Sequence, residues 1–410
     1  MSTKNVNMAV NSLVQFHQIS DELGFLPKNP LRLLPSNTQF MLRNRYFIEI
    51  DKIAYSLPDL IKKGRVAEAV RSLPVPSWPI YDLYQPAMYR LMLLVTMLEH
   101  AYFYEKLQHL KVAELMAVEG PHVIPNKLAI PLYKLWQQTG IAPSMSYELY
   151  SQWNYLKFDP SKPIDFDNIK MIHSFTDTED EKGFVLIHQI VDYTFAPVIR
   201  PSLKAHLLTA DSSQWDSVPP DLITRLLEEI SANMEKVVNV LERMREYCRP
   251  DVYFEQVRRF YSIPRNLEFE GVEKLKGQTV NVLGETGGQD SWKQFMHAIL
   301  GMDFDDVKFG NIYYFKELRN HMSPVRRNLV ERIKSESMLR NYVVDQKEKN
   351  NCQPARRYNR LIKSLLDWMD EHYSLAKEYV GRQGETHGTV KAPFGLLQEI
   401  RDKTKSYIIE

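Results

Sequence analysis

Cysteine is nearly missing from this chain: Cys248 and Cys352 are the only two in 410 residues. Two cysteines cannot build a disulfide framework, and they match no paired metal-ligand spacing, so the chain reads as an intracellular, reduced protein. Neither has neighbours that mark it as an activated nucleophile. Glycine is also sparse, at 16 residues, and strand-like alternation is rare, which excludes most sheet architectures. No charge of one sign prevails. With Lys+Arg at 52 and Asp+Glu at 51, the net charge of +1 argues against a nucleic-acid or anionic-membrane partner held by bulk electrostatics. Long apolar runs are absent too. The most apolar stretch, Leu91 to Leu98, stops at Glu99 and His100, too short to span a bilayer. The first ten residues lack a basic segment leading into an apolar one, so no signal peptide is expected, and the reading is of a soluble, cytoplasmic protein.

What is present is helical periodicity. Segments with a 3.6-residue repeat predict helices over Tyr89–Gln108, Lys127–Thr139, Tyr147–Gln152, Lys182–Tyr193, Pro220–Tyr247, Asp251–Tyr261, Asp290–Leu300, Pro324–Ser337 and Pro354–Val380, which makes the fold class all-α. In the fifth, Ile223, Leu226, Leu227, Ile230, Met234, Val237, Val238, Leu241 and Met244 form one stripe, as in a bundle helix. The early part of the chain is punctuated by proline (Pro27, Pro30, Pro35, then Pro74, Pro76 and Pro79), consistent with short helices joined by loops. A polar stretch from Phe158 to Lys182 separates it from the longer helices. That stretch divides a smaller N-terminal helical domain, 1–170, from a larger helical domain, 171–410.

Four segments carry candidate chemistry besides a histidine. His372 lies on a helical stripe with Leu361, Leu365, Trp368, Met369, Leu375, Ala376 and Tyr379, so its imidazole points inward, and Gly381 is placed to close that helix. An inward imidazole must satisfy two ring nitrogens, which a metal on one and a hydrogen bond on the other accomplish, although a lone core histidine is ordinarily bonded to a carbonyl. Phe184, His188 and Val191 share another helical face, with the same two readings for His188. Arg258 falls on the face of Phe254, Val257 and Tyr261. It is either a structurally paired arginine or a fork for a carboxylate. The turn Gly284-Glu-Thr-Gly-Gly-Gln-Asp-Ser291 lacks the G-x-G-x-x-G spacing of a nucleotide fingerprint. It suits a loop-to-helix entry or close backbone approach to a flat ligand. The polar loop from Gly384 to Pro393 reads as mobile surface. These features suggest a haem pocket without establishing one.

In order, the segments resemble the indoleamine 2,3-dioxygenase family over most of the chain. The resemblance rests on Gly24-Phe-Leu-Pro27, Ile124-Pro-Asn-Lys-Leu-Ala-Ile-Pro131, Pro143-Ser-Met-Ser-Tyr147, Asp159-Pro-Ser-Lys-Pro163, Lys182-Gly-Phe184, the Gly284–Ser291 turn and Leu318 to Asn328. It is completed by His372 with Ala376, Tyr379 and Val380. The resemblance implies a helical fold whose small domain covers a larger one holding haem b, with His372 as the proximal iron ligand. Phe184 would line the distal pocket, with Tyr147 and Ser151 on its small-domain wall. Tyr253, Phe254 and Arg258 would form the side where the substrate lies. The backbone of Gly284, Thr286, Gly287 and Gly288 would approach the porphyrin, and Thr389, or Thr386 on a shifted register, would close over the substrate. The implied reaction inserts dioxygen across the indole C2–C3 bond of L-tryptophan or a close indoleamine to give N-formylkynurenine.

One departure stands out. His188 falls where vertebrate members carry serine and where the related tryptophan 2,3-dioxygenases use a distal histidine, so it is a candidate catalytic residue that narrows substrate range. The alternatives are a haem oxygenase or rearrangement enzyme for a modified tryptophan or indole in a biosynthetic pathway, and a non-catalytic haem-binding sensor.

Overall fold

The computed structural model describes residues 3–28, 45–74, 85–110, 114, 120–384 and 393–410. Its helices used below are α1 (Thr3–Phe16), α2 (Gln85–Leu107), α3 (Asn126–Thr139), α4 (Glu179–Thr209), α5 (Pro220–Glu242), α6 (Ser291–Ile299), α7 (Pro324–Glu336), α8 (Gln353–Tyr379) and α9 (Phe394–Lys405). Strands are confined, among the described residues, to three two-stranded pairs. These are β1 (His122–Ile124) parallel to β4 (Leu267–Phe269), β2 (Tyr155–Lys157) antiparallel to β3 (Ile169–Met171), and β5 (Lys308–Phe309) antiparallel to β6 (Ile312–Tyr313). The all-α expectation holds, and the strands serve as short clasps between helices.

The stripe read along residues 223–241 does what its period implies. One side of α5 packs along α4 and α8, with Ile223, Leu227, Ile230, Met234 and Val237 fully buried. By contrast, α2 has no polar face: every side chain from Tyr89 to Phe103 is buried, Arg90, Glu99 and His100 included. Such a helix belongs to the middle of a core. A ring chain then ties the large helices together. Phe195 of α4 lies 5.0 Å from Trp292 of α6, and Trp292 meets Trp368 of α8 edge-on at 5.2 Å. One contiguous hydrophobic cluster extends from Val6 to Ile400.

Several elements differ from their sequence-based bounds. The helix expected over Lys182–Tyr193 runs on to Thr209, carrying Pro197 and Pro201 inside it. Proline removes a backbone donor, but packing on both sides holds this helix together through the gaps. At its start, Thr178 caps by accepting from Glu181 N at 3.2 Å, and Glu181 in turn accepts from the backbone N–H groups of Phe175 and Thr176. The helix expected over Asp251–Tyr261 is instead one α turn, a wide turn over Tyr253–Val257 and a tight 3-10 turn over Arg258–Tyr261. The pitch changes twice in ten residues, yet Arg258 keeps the Phe254 neighbour expected of it, with its guanidinium 5.4 Å from that ring centre. Gly381 does not adopt the left-handed cap conformation either. The positive φ, +85°, belongs to Gly384, after a short 3-10 turn over Gly381–Gln383.

Candidate active site

Gly183 fixes where the site begins. A side chain there would put its Cβ 2.0 Å from the carbonyl oxygen of Tyr247, so only glycine lets the first turn of α4 lie against the chain leaving α5. The next residue, Phe184, is thereby turned into a cavity of about 230 Å³. His188 enters the same cavity one turn later on α4. Trp368, Met369, His372 and Tyr379 enter from α8, Lys293 and His297 from α6, and Thr286, Gly287 and Gly288 from the loop before α6.

The two sequence-derived histidines share this cavity but differ in chemistry. His188 donates from Nδ1 to the Phe184 carbonyl at 2.8 Å, because a carbonyl only accepts; its Nε2 is therefore the bare nitrogen. Burial lowers its pKa to about 4, opposed by the bond to Phe184 and assisted by the Lys293 charge. The Phe184 ring lies 4.5 Å away and the Tyr147 ring 5.6 Å, edge-on. His372 makes no hydrogen bond with any described residue and is held by stacking on Trp368, with ring centroids 5.1 Å apart. Burial, then the charges of Lys293 and His188, push its pKa to about 3. Near neutral pH both imidazoles are uncharged and carry a lone pair.

The other expected residues divide. Phe184, Tyr253, Thr286, Gly287 and Gly288 border the cavity. Tyr253 is 4.6 Å from the Phe184 ring, and a Cβ on Gly288 would crowd the Tyr314 hydroxyl at 3.0 Å. Tyr147, Ser151, Phe254, Arg258 and Gly284 do not border it. Tyr147 is buried beside His188 and donates from its hydroxyl to Asp192 at 3.2 Å. The Ser151 carbonyl accepts from the Gln189 side chain at 2.6 Å. Arg258 is wholly buried, with its guanidinium 5.4 Å from the Phe254 ring centre. Gly284 is pinned because a Cβ would sit 1.9 Å from the Tyr261 carbonyl oxygen. Thr389 and Thr386 lie outside the described residues.

Sequence reasoning missed Glu285, Lys293 and His297. Burial raises the Glu285 carboxyl to about 8, tempered by Lys293, and lowers His297 to about 3. Lys293 sits between Trp292 and Gln294 in an amphipathic helix, where a lysine is ordinarily read as solvent-facing, so its pattern carried no signal.

An apolar cavity with a neutral, unbonded imidazole and two side-chain-free loop positions fits a flat macrocycle whose metal needs one protein ligand. The residues present therefore fit haem, with His372 able to hold its iron.

Comparison with known proteins agrees. Residues 13–405 match the family described as Indoleamine 2,3-dioxygenase. The chain is 24% identical to Indoleamine 2,3-dioxygenase 1 of Rattus norvegicus over 383 residues, covering 90% of this chain and 84% of that protein. It is 25% identical to Indoleamine 2,3-dioxygenase nanC of Aspergillus nanangensis, covering 96% and 97%, and 23% identical to Indoleamine 2,3-dioxygenase 2 of Homo sapiens, covering 99% and 98%. The family match makes this a haem-dependent dioxygenase, an oxidoreductase of a family that uses tryptophan-type substrates and dioxygen. The chain belongs to the indoleamine 2,3-dioxygenase family. No described helix is long and apolar enough to cross a membrane.

Proposed function

We propose that this enzyme opens the indole ring of L-tryptophan at C2–C3 to give N-formylkynurenine, using haem b held through His372. The observation that carries the reading is the His372 imidazole, half-buried, neutral and without a hydrogen-bond partner among the described residues, facing an apolar cavity in a chain of this family. Haem, when bound, supplies the activation of dioxygen.

The chain's own residues do the rest. His188 presents its bare Nε2 to the cavity and accepts a hydrogen bond from the indole N–H, which fixes the ring's orientation. Its bond to the Phe184 carbonyl holds the tautomer that makes this possible. Phe184 and Tyr253, packed on each other at 4.6 Å, offer the indole one aromatic wall, and the apolar lining excludes water. The test is an absorption spectrum of the haem-loaded protein, followed by product analysis with L-tryptophan, a reductant and dioxygen. A Soret band and N-formylkynurenine are expected. A haem-loaded protein that leaves tryptophan intact, or one that binds no haem, overturns the reading.

A further inference from the structure

Lys293 is expensive where it stands. It is the third residue of α6, so its ammonium is buried near the positive end of a helix dipole, the end that disfavours cations. Its side chain is only 15% exposed, and it is the single lysine or arginine among the described residues that border the cavity. Among the described residues, Nζ donates to the Gly287 carbonyl at 2.6 Å and pairs with Asp290 at 3.9 Å, beyond a hydrogen bond, while Asp192 and Glu285 lie near enough to act on it electrostatically. Two aromatic rings also lie beside it, with the Trp368 ring centre at 4.5 Å and that of Trp292 at 5.7 Å. An ammonium has three donors, and one close bond leaves two for a ligand.

The cavity places that ammonium where a ligand passes. A Cβ added to Gly287 would lie 3.5 Å from Lys293 Nζ and 4.0 Å from His188 Nε2, so the missing side chain leaves open the space between the two nitrogens. Arg258, the guanidinium that the sequence suggested for a carboxylate, does not border the cavity and is already engaged with the protein. We propose that Lys293 is the cation of the cavity that receives a carboxylate. That carboxylate is carried either by the amino-acid substrate or by a propionate of the porphyrin. The assignment rests on the function proposed above. The one carboxyl bordering the cavity among the described residues, Glu285, does not oppose it near neutral pH, because burial keeps that group largely protonated.

The experiment compares wild type, Lys293→Met and Lys293→Arg by binding alone. One arm titrates the apoprotein with haem and with haem dimethyl ester, following the Soret band. The other titrates the haem-loaded protein with L-tryptophan and with tryptamine, which lacks only the carboxylate. Wild type is expected to prefer the carboxylate form by about tenfold or more in at least one arm. Lys293→Met should erase that preference and Lys293→Arg should keep most of it. The first arm assigns the propionate, the second the substrate. If Lys293→Met does not fold, Lys293→Met/Asp290→Asn removes both charges together and serves in its place. Absence of any preference in wild type, or an undiminished preference in the methionine variant, overturns the assignment to Lys293 alone. A wild-type protein that takes up no haem overturns it together with the proposed function.

Discussion

His188 and His372 are both half-buried imidazoles facing one cavity, yet one hydrogen bond separates their roles. His188 spends Nδ1 on the Phe184 carbonyl and keeps Nε2 open, while His372 stacks on Trp368 and has no hydrogen bond to a described residue. Replacing His188 with serine is expected to leave haem bound, with the Soret band unchanged, while weakening selection for a free indole N–H. The ratio of kcat/KM for tryptophan over 1-methyltryptophan should drop by roughly fivefold to tenfold, the worth of one neutral hydrogen bond. Since the His188 pKa is lowered to about 4, the neutral form persists well below neutrality. The wild-type ratio should accordingly stay flat from about pH 8 to about pH 5 and fall only as pH approaches about 4. A ratio that already falls between about pH 7 and pH 6 would show that the imidazole is more exposed than its packing implies.

Two elements show how placement depends on a single residue. The docking of α4 relies on Gly183, since any side chain meets the Tyr247 carbonyl oxygen. Gly183→Ala is expected to cost about 1–3 kcal/mol in denaturant unfolding and to weaken haem uptake as well, because Phe184 and His188 move with that turn. Unchanged unfolding and uptake would mean that the helix shifts without consequence. In α2 the exception is Glu99, wholly buried, with neither carboxyl oxygen hydrogen-bonded to a described residue. Burial raises its pKa well above the ordinary value of 4.5. An acid whose folded pKa is raised loses stability as pH climbs from the unfolded value toward the folded one. Glu99→Gln, which cannot ionise, should therefore gain on wild type as pH rises above about 4.5, by up to about 1.4 kcal/mol per pH unit. Urea unfolding near pH 5 and pH 8 checks this, and a constant difference between the two proteins would contradict it.

At the scale of the molecule, the cavity lies among α4, α5, α6, α8 and α9, so emptying it leaves the main helices facing a void. A ligand that binds only the folded state adds stability by mass action, about 2.7 kcal/mol at a hundredfold excess over its Kd. Haem should thus raise the Tm of the apoprotein. His372→Ala is expected to abolish both the tight Soret complex and that rise while leaving the Tm of the apoprotein nearly unchanged, because His372 makes no hydrogen bond to a described residue. A variant that still gains stability with haem would move the iron ligand elsewhere.

The sequence by itself determined whatever depends on local period. The stripe of α5 and the stripe from Leu361 to Tyr379 follow from a 3.6-residue repeat, the second carrying the inward aim of His372, and the same period along α4 gives that of His188. The extent of α4 beyond Tyr193 was not legible, because Pro197 and Pro201 read as stops and only packing on α5 and α6 overrides them. Lys293 was illegible for the opposite reason: its local pattern is an ordinary helix turn, and a lysine there normally reaches water. Whether it does so depends on the rings of Trp292 and Trp368, the second brought from 75 residues further along the chain. Burial, and hence which of these groups carry charge at neutral pH, is a property of the assembled core. Spacing fixes the direction in which a side chain leaves its helix, but only tertiary packing decides what it meets there.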